Sequence, residues 1–261
     1  MSAAISATSQ LRWAVSDALV VARRNLTHIV RLPQLLVFST VQPVLFVLMF
    51  AYVFGGAIRT PGMNYIDYLL PGIFIQTVAF GSMQTGIGLA DDLSKGLIDR
   101  FRSLPMARSA VLAGRTLSDA VRSLFVILLM FAVGSLIGFR VGTGPLQAMA
   151  ALGVALAFGF ALSWIGATIG LAAGTPEAVQ AGGFVWLFPL VFASSAFVPT
   201  ESMPGWLQAF AEHQPVTATV DALRALLVGG PATDPVLASL AWSAAILALF
   251  MPLAVGRYRR S

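Results

Sequence analysis

Charged residues in this chain are bunched, and the intervals between them are long: 32–58, 68–90, 123–139, 141–176, 178–200 and 235–256 carry no charge at all. A helix needs about 20 predominantly apolar residues to cross a hydrocarbon core of about 30 Å, so each interval is a candidate span. The fourth is too long for one helix, but the "GTGP" of Gly142–Pro145 and the "GTP" of Gly174–Pro176 punctuate it and trim it to about 146–173. The third is at the short limit, although Arg122 and Arg140 can snorkel to opposite interfaces. Six spans result, at about 35–57, 67–90, 119–139, 146–173, 178–199 and 235–256. Composition agrees: 57% of the residues are hydrophobic and 10% charged, against roughly 45–50% and 25% in soluble domains. The expected fold is therefore an all-α integral membrane protein, a single transmembrane domain over 1–261.

The basic residues set its orientation. An even number of spans puts both termini on one side, together with Arg12, Arg23, Arg24, Arg31, Lys95, Arg100, Arg102, Arg108, Arg115, Arg122, Arg257, Arg259 and Arg260, and leaves only Arg59, Arg140 and Arg224 opposite. That asymmetry predicts cytoplasmic termini. It also accounts for the net charge of +5 without a nucleic-acid partner, since no aromatic-interleaved basic patch occurs. The first thirty residues have scattered arginines and no continuous apolar core, so no signal peptide is expected. Leu11, Val15, Leu19, Ala22, Leu26 and Ile29 instead predict an amphipathic helix over 11–31 along the cytoplasmic interface. The segment 202–230, broken by Pro204, Pro215 and Gly229–Gly230, is too polar to cross and predicts two short amphipathic helices as an external re-entrant or interfacial hairpin.

The stretch "GLIDRFRSLPMARSAVLAGR" (Gly96–Arg115) collects charge between spans two and three. Leu93, Leu97, Phe101 and Leu104 recur on one helical face, with Lys95, Asp99 and Arg102 on another and Pro105 as a stop. One reading of 92–108 is an ordinary charged loop. The other is a docking element, because an apolar ridge with charged flanks (Leu97, Asp99, Arg100, Phe101, Arg102, Leu104) suits a groove on a soluble partner. At the mouth of span three, Arg115, Asp119 and Arg122 fall at i, i+4 and i+7, close enough to pair along one face. In span four, Gly159, Ser163, Gly166, Gly170 and Gly174 recur every few residues, which suits close helix packing within the subunit or at a dimer seam.

Several chemistries are excluded. No G-x-x-x-x-G-K-[ST] loop can be drawn around Lys95, the one lysine, so the chain is not expected to bind or hydrolyse ATP itself. His28 and His213 are isolated and there is no cysteine, so no metal, cofactor or thiol chemistry is expected. No serine stands in a nucleophile motif. The acids Asp67, Asp119 and Glu177 fall at span ends, which disfavours a cation-coupled carrier.

Four stretches carry a family resemblance: "YIDYLLPGI" (Tyr65–Ile73), "GLIDRFRSLPMARSAVLAGRTLSD" (Gly96–Asp119), "FPLVFASSAFVPTESMPGWLQ" (Phe188–Gln208) and "HQPVTATVDALRALLVGG" (His213–Gly230). In this order, with six spans, the chain resembles the permease subunit of an ABC-2 type transporter, in the daunorubicin-resistance group of drug and lipid exporters. The resemblance implies a type V exporter-like permease fold. It also implies that 92–108 is a coupling helix seated on a separate ATP-binding cassette subunit, which holds the ATP and magnesium. Two such ATPases and a second permease, identical or a sister, would complete an exporter in the bacterial cytoplasmic membrane. Its implied cargo is a hydrophobic or amphipathic drug or lipid, or alternatively a lipid-linked polysaccharide or glycolipid.

Overall fold

The computed structural model describes residues 33–56, 58, 60, 62–96 and 108–260. The helix expected at 11–31 and the ridge at 97–104 lie outside the described residues. All regular structure among the described residues is helical: α1 (Pro33–Met49), α2 (Tyr65–Ser94), α3 (Arg108–Leu136), α4 (Pro145–Ala173), α5 (Pro176–Phe192), α6 (Gly205–Glu212), α7 (Pro215–Leu227) and α8 (Thr233–Arg260), with a π turn at Phe50–Phe54 and a 3₁₀ turn at Thr200–Ser202. Four stretches are long and apolar enough to cross a membrane by length and composition: Tyr65–Ser94, Leu112–Leu136, Pro145–Ala173 and Thr233–Tyr258.

Boundaries follow from local chemistry. α4 opens with Pro145, whose missing N–H costs nothing at a helix start, and closes on Gly174 in the left-handed region at φ 74°. α5 opens with the Thr175 hydroxyl accepting from the Ala178 amide, Pro176 as its first residue and Glu177 in its first turn. α7 is capped by Gln214, whose side-chain Oε1 accepts from the Val216 amide.

The helices expected at 35–57 and 178–199 are shorter than the intervals suggested. α1 and α5 have 17 residues each, a rise of about 25 Å. α1 is prolonged by the π turn, and after Phe192 the chain leaves helical geometry while staying inside the protein: Ser194, Ser195, Ala196 and Phe197 are all buried. Irregular backbone at that depth is tolerated only if its carbonyls are satisfied by protein. The residues that do so are described below.

α2 is the centre of the bundle, packed by α1, α3, α4, α5 and α7. Its closest neighbour is α4, and glycines set the distance. A Cβ on Gly166 would stand 2.5 Å from the Ser82 carbonyl oxygen, one on Gly170 would strike the Gly86 carbonyl, and one on Gly159 would strike Val78. Ser163 bonds back to the Gly159 carbonyl at 2.9 Å. The stripe thus serves packing inside the subunit, against reciprocal glycine on α2. Gly174 is an exception: nothing lies within 4 Å of its Cβ direction, and its role is to end α4.

The hairpin expected at 202–230 forms the two short helices α6 and α7. α7 is an element of the core, with Val216, Thr217, Thr219, Val220, Ala222, Leu223, Arg224, Leu226 and Leu227 buried against α2, α4 and α8. Its apolar face meets protein, and its polar side chains meet the unwound 193–199 stretch.

Candidate functional site

Two polar inlays interrupt the apolar bundle. The first joins α2 to α3. These helices run antiparallel, and the seven-residue step between Gly81 and Gly88 matches the seven-residue step between Arg115 and Arg122. A Cβ on Gly81 would lie 2.6 Å from Arg122 Nη2, and one on Gly88 would overlap the Arg115 guanidinium. Each arginine therefore lies over a glycine of the facing helix. Arg122 Nη2 donates to the Gly81 carbonyl at 2.9 Å, Arg115 Nη1 meets Asp92 Oδ2 at 2.5 Å, and between them Thr85 donates its hydroxyl to the Asp119 carboxylate.

This corrects the pairing expected along α3. Asp119 does pair with Arg122, at 3.6 Å between Oδ1 and Nε, but Arg115 turns across to Asp92. α3 starts at Arg108, about three turns ahead of Asp119, so the charges of the stripe lie well inside the helix. α3 tolerates them because its lipid-facing stripe (Leu117, Val121, Phe125, Leu128) is apolar and exposed, while the charges point inward. The Asp119 and Arg122 side chains are only 11% and 10% exposed. Buried charges persist when paired and hydrogen-bonded, and ionisable groups within a span mark functional regions.

Arg122 is not fully satisfied. Its Nε makes no hydrogen bond, and the side chain borders a cavity of about 100 Å³ between α1, α2 and α3. Gln42, Gln76, Thr77 and Gln84 supply its polar wall, with Phe46 and Phe80 beside them. Gln42 and Gln84 are exposed on apolar helices, and Phe80 extends the aromatic edge to Phe184 of α5, 5.7 Å between centroids. The lining mixes polar and aromatic side chains, a combination that holds an amphipathic molecule or ordered water.

The second inlay pins the unwound segment. Arg224 Nη1 pairs with Asp221 Oδ1 at 2.7 Å, its Nη2 donates to the carbonyls of Ser195 at 2.9 Å and Tyr68 at 3.2 Å, and its guanidinium lies 3.7 Å over the Tyr68 ring. Tyr68 Oη donates to the Ser195 carbonyl at 2.9 Å, Tyr65 Oη to that of Phe197 at 3.2 Å, and Ser195 Oγ to Asp221 at 2.8 Å. Burial pushes the Asp221 carboxyl above the ordinary carboxylate range, and the Arg224 charge opposes that shift. The sequence reading used Arg224 only as a charge on the outer side. The signal available for more was the i, i+3 Asp221–Arg224 pair in an otherwise apolar helix.

No group of three or more metal-ligating side chains occurs among the described residues, and His213 spends Nδ1 on the Ala209 carbonyl, 2.9 Å away. Of the ridge residues, Leu97, Asp99, Arg100, Phe101, Arg102 and Leu104, the structure gives only the flanks: α2 ends at Ser94 with Lys95 paired to Asp91 at 2.7 Å, and α3 resumes at Arg108.

Comparison with known proteins adds the family. Residues 17–228 match the ABC-2 type transporter family. The chain is 37% identical over 246 residues to the daunorubicin resistance ABC transporter permease protein DrrB1 of Streptomyces coeruleorubidus, covering 94% of this chain and 87% of that protein. It is 31% identical over 252 residues to the probable doxorubicin resistance ABC transporter permease protein DrrC of Mycobacterium tuberculosis, covering 96% and 91% respectively. A more distant relative is the putative transport permease ycf38 of Cyanophora paradoxa, 28% identical over 221 residues, 81% of this chain and 74% of that protein.

Proposed function

The chain belongs to the ABC-2 type transporter family, and we propose that it moves a hydrophobic or amphipathic drug, or a lipid, out of the cytoplasm or inner leaflet. It is a multi-pass membrane permease subunit of an ABC exporter and not an enzyme; ATPase activity lies in a separate subunit. The observation that carries the cargo class is the similarity along nearly the whole chain to permeases named for daunorubicin and doxorubicin resistance. The hollow at Arg122 supports it, since an amphipathic cargo needs both aromatic and polar contacts and the lining offers both.

In this reading the 92–108 segment is the coupling helix. It docks on one of two ATPase subunits, and its motion reaches the bundle through the α2–α3 inlay, which it joins through the Asp92–Arg115 pair. Both termini are cytoplasmic, the membrane is the bacterial cytoplasmic membrane, and a second permease copy or a sister permease completes the pathway. ATP and magnesium bind the partner. The test uses inside-out vesicles containing this chain and its ATPase. ATP should drive daunorubicin uptake that is lost when the ATPase is omitted, and uptake that is the same with and without ATP would overturn the reading.

A further inference from the structure

A second hollow in the bundle is apolar and lies on a different face from the polar one. It has a volume of about 230 Å³ and lies between α2, α3, α4 and α7. Every residue lining it is Ala, Leu, Ile, Met or Phe. It exists because α4 presents Ala148, Ala151 and Ala155 at i, i+3 and i+7, one stripe of side chains too small to reach Phe74 and Ile127 opposite. An engineered apolar cavity of about 150 Å³ stays dry and takes up benzene. This one is larger, and its mouth is framed by Leu128 and Met149, 53% and 63% exposed. Those side chains face the surroundings of a membrane helix, so lipid is the apolar matter at its door.

The α3–α4 turn, which carries a cation, is bonded to one end of the hollow's lining. Leu227, which lines it, is tied to the α3–α4 turn: its carbonyl accepts from the Gly142 amide at 2.9 Å, and the Thr143 hydroxyl donates to the Leu226 carbonyl at 2.5 Å. Arg140 sits in that turn, and the neighbouring Phe139 packs edge-on against Phe131 of the hollow at 5.8 Å. Arg140 is exposed, its side chain donates only to the carbonyls of Ser135 and Phe139, and it makes no ion pair among the described residues. The nearest acid, Asp67, meets its backbone amide at 3.4 Å.

We propose that this hollow is a binding site for an anionic phospholipid of the surrounding bilayer, one acyl chain lying along the Ala148–Ala151–Ala155 stripe and the phosphate meeting Arg140. The site is separate from the Arg122 hollow and serves as a structural lipid site, so it stands whether or not the cargo assigned above is right. Its placement in the outer leaflet follows the orientation proposed there.

The experiment is native mass spectrometry of the purified permease–ATPase complex titrated with palmitoyl-oleoyl phosphatidylglycerol and, separately, the matching phosphatidylcholine. The wild type should retain one tightly held phosphatidylglycerol per permease chain. Ala151→Leu and Ala155→Leu, which fill the hollow, should each lower that occupancy at least fivefold. Arg140→Gln should keep lipid binding but bring the two headgroups to within about twofold of each other. Retention at wild-type levels in both filled variants would overturn the proposal, as would a wild type indifferent to headgroup. A second measurement avoids repacking the core. The chain has no cysteine, so a bimane on Leu128→Cys can be compared with one on Leu240→Cys, an exposed position of α8. Phosphatidylglycerol bearing a nitroxide on its acyl chain should quench the first at a severalfold lower lipid fraction, and identical quenching curves would contradict the site.

Discussion

Arg122 occupies the space that Gly81 leaves open: its Nη2 donates to the Gly81 carbonyl at 2.9 Å, where a Cβ would stand 2.6 Å away. The same relation holds one heptad along, between Arg115 and Gly88. A side chain at Gly88 should therefore be poorly tolerated. Gly88→Leu should displace Arg115 from Asp92 and lower stability by about 1–3 kcal/mol, the usual cost of overpacking. Thermal unfolding of the purified subunit in detergent reads this directly. Gly153, whose Cβ direction is open, is the control, and Gly153→Leu should leave the unfolding temperature nearly unchanged.

The buried pair beside it gives a second outcome. Removing one member leaves the other charged and dry, which costs about 3–5 kcal/mol, while replacing both is far milder. Asp119→Asn and Arg122→Gln should each destabilise strongly, and the double variant should recover most of the loss. A double-mutant cycle on unfolding free energies measures the coupling. Additive effects would mean the two side chains do not act as a pair.

These relations explain how much could be read in advance. The charge-free intervals located the apolar helices because lipid admits few unpaired charges. At α3 the charge-free interval stops short of Asp119 and Arg122, because a charge turned toward α2 leaves the outward apolar face of the helix intact. Gly166 and Gly170 were legible from their four-residue spacing; their partner Gly86 was not, since spacing within one helix does not name the helix opposite. Gly174 fitted the spacing yet ends the helix, a matter of backbone sign at φ 74°. The Tyr68–Ser195–Arg224 inlay joins residues up to 156 positions apart, and nothing local in any of the three marks the contact. The alanine stripe of α4 was hidden because a hollow depends on what fails to reach it from other helices.

The outer inlay depends on guanidinium shape. Arg224 serves two carbonyls, one carboxylate and a ring face at once, and an ammonium cannot reproduce that fork. Arg224→Lys should keep the charge and still loosen the unwound segment. Hydrogen exchange at the amides of 194–198 should rise at least tenfold, equivalent to about 1.4 kcal/mol of lost protection. Exchange in α8 should be unaffected. Protection at 194–198 equal to the wild type would show that lysine suffices.

Energy source is tested at the acids nearest the span ends. Asp67→Asn and Glu177→Gln should leave transport rates within about twofold of wild type, because an ATP-driven permease needs no titrating acid at those positions. An uncoupler added at constant ATP should likewise leave daunorubicin uptake into inside-out vesicles intact. Collapse of uptake under the uncoupler would favour a cation-coupled carrier.

The central claim is that the 97–104 ridge transmits work from a separate ATPase, and truncating its anchors tests it most directly. A buried aromatic anchor at an interface typically contributes about 2 kcal/mol or more, and rim charges much less. The measurement is co-purification of the ATPase alongside ATP-driven daunorubicin uptake for the Leu97→Ala/Phe101→Ala double variant, with Lys95→Ala as control. The double variant should insert at near-normal levels, lose most of its bound ATPase and lose uptake, while Lys95→Ala behaves as wild type. A double variant that still holds its ATPase and transports at the wild-type rate would contradict the coupling assignment.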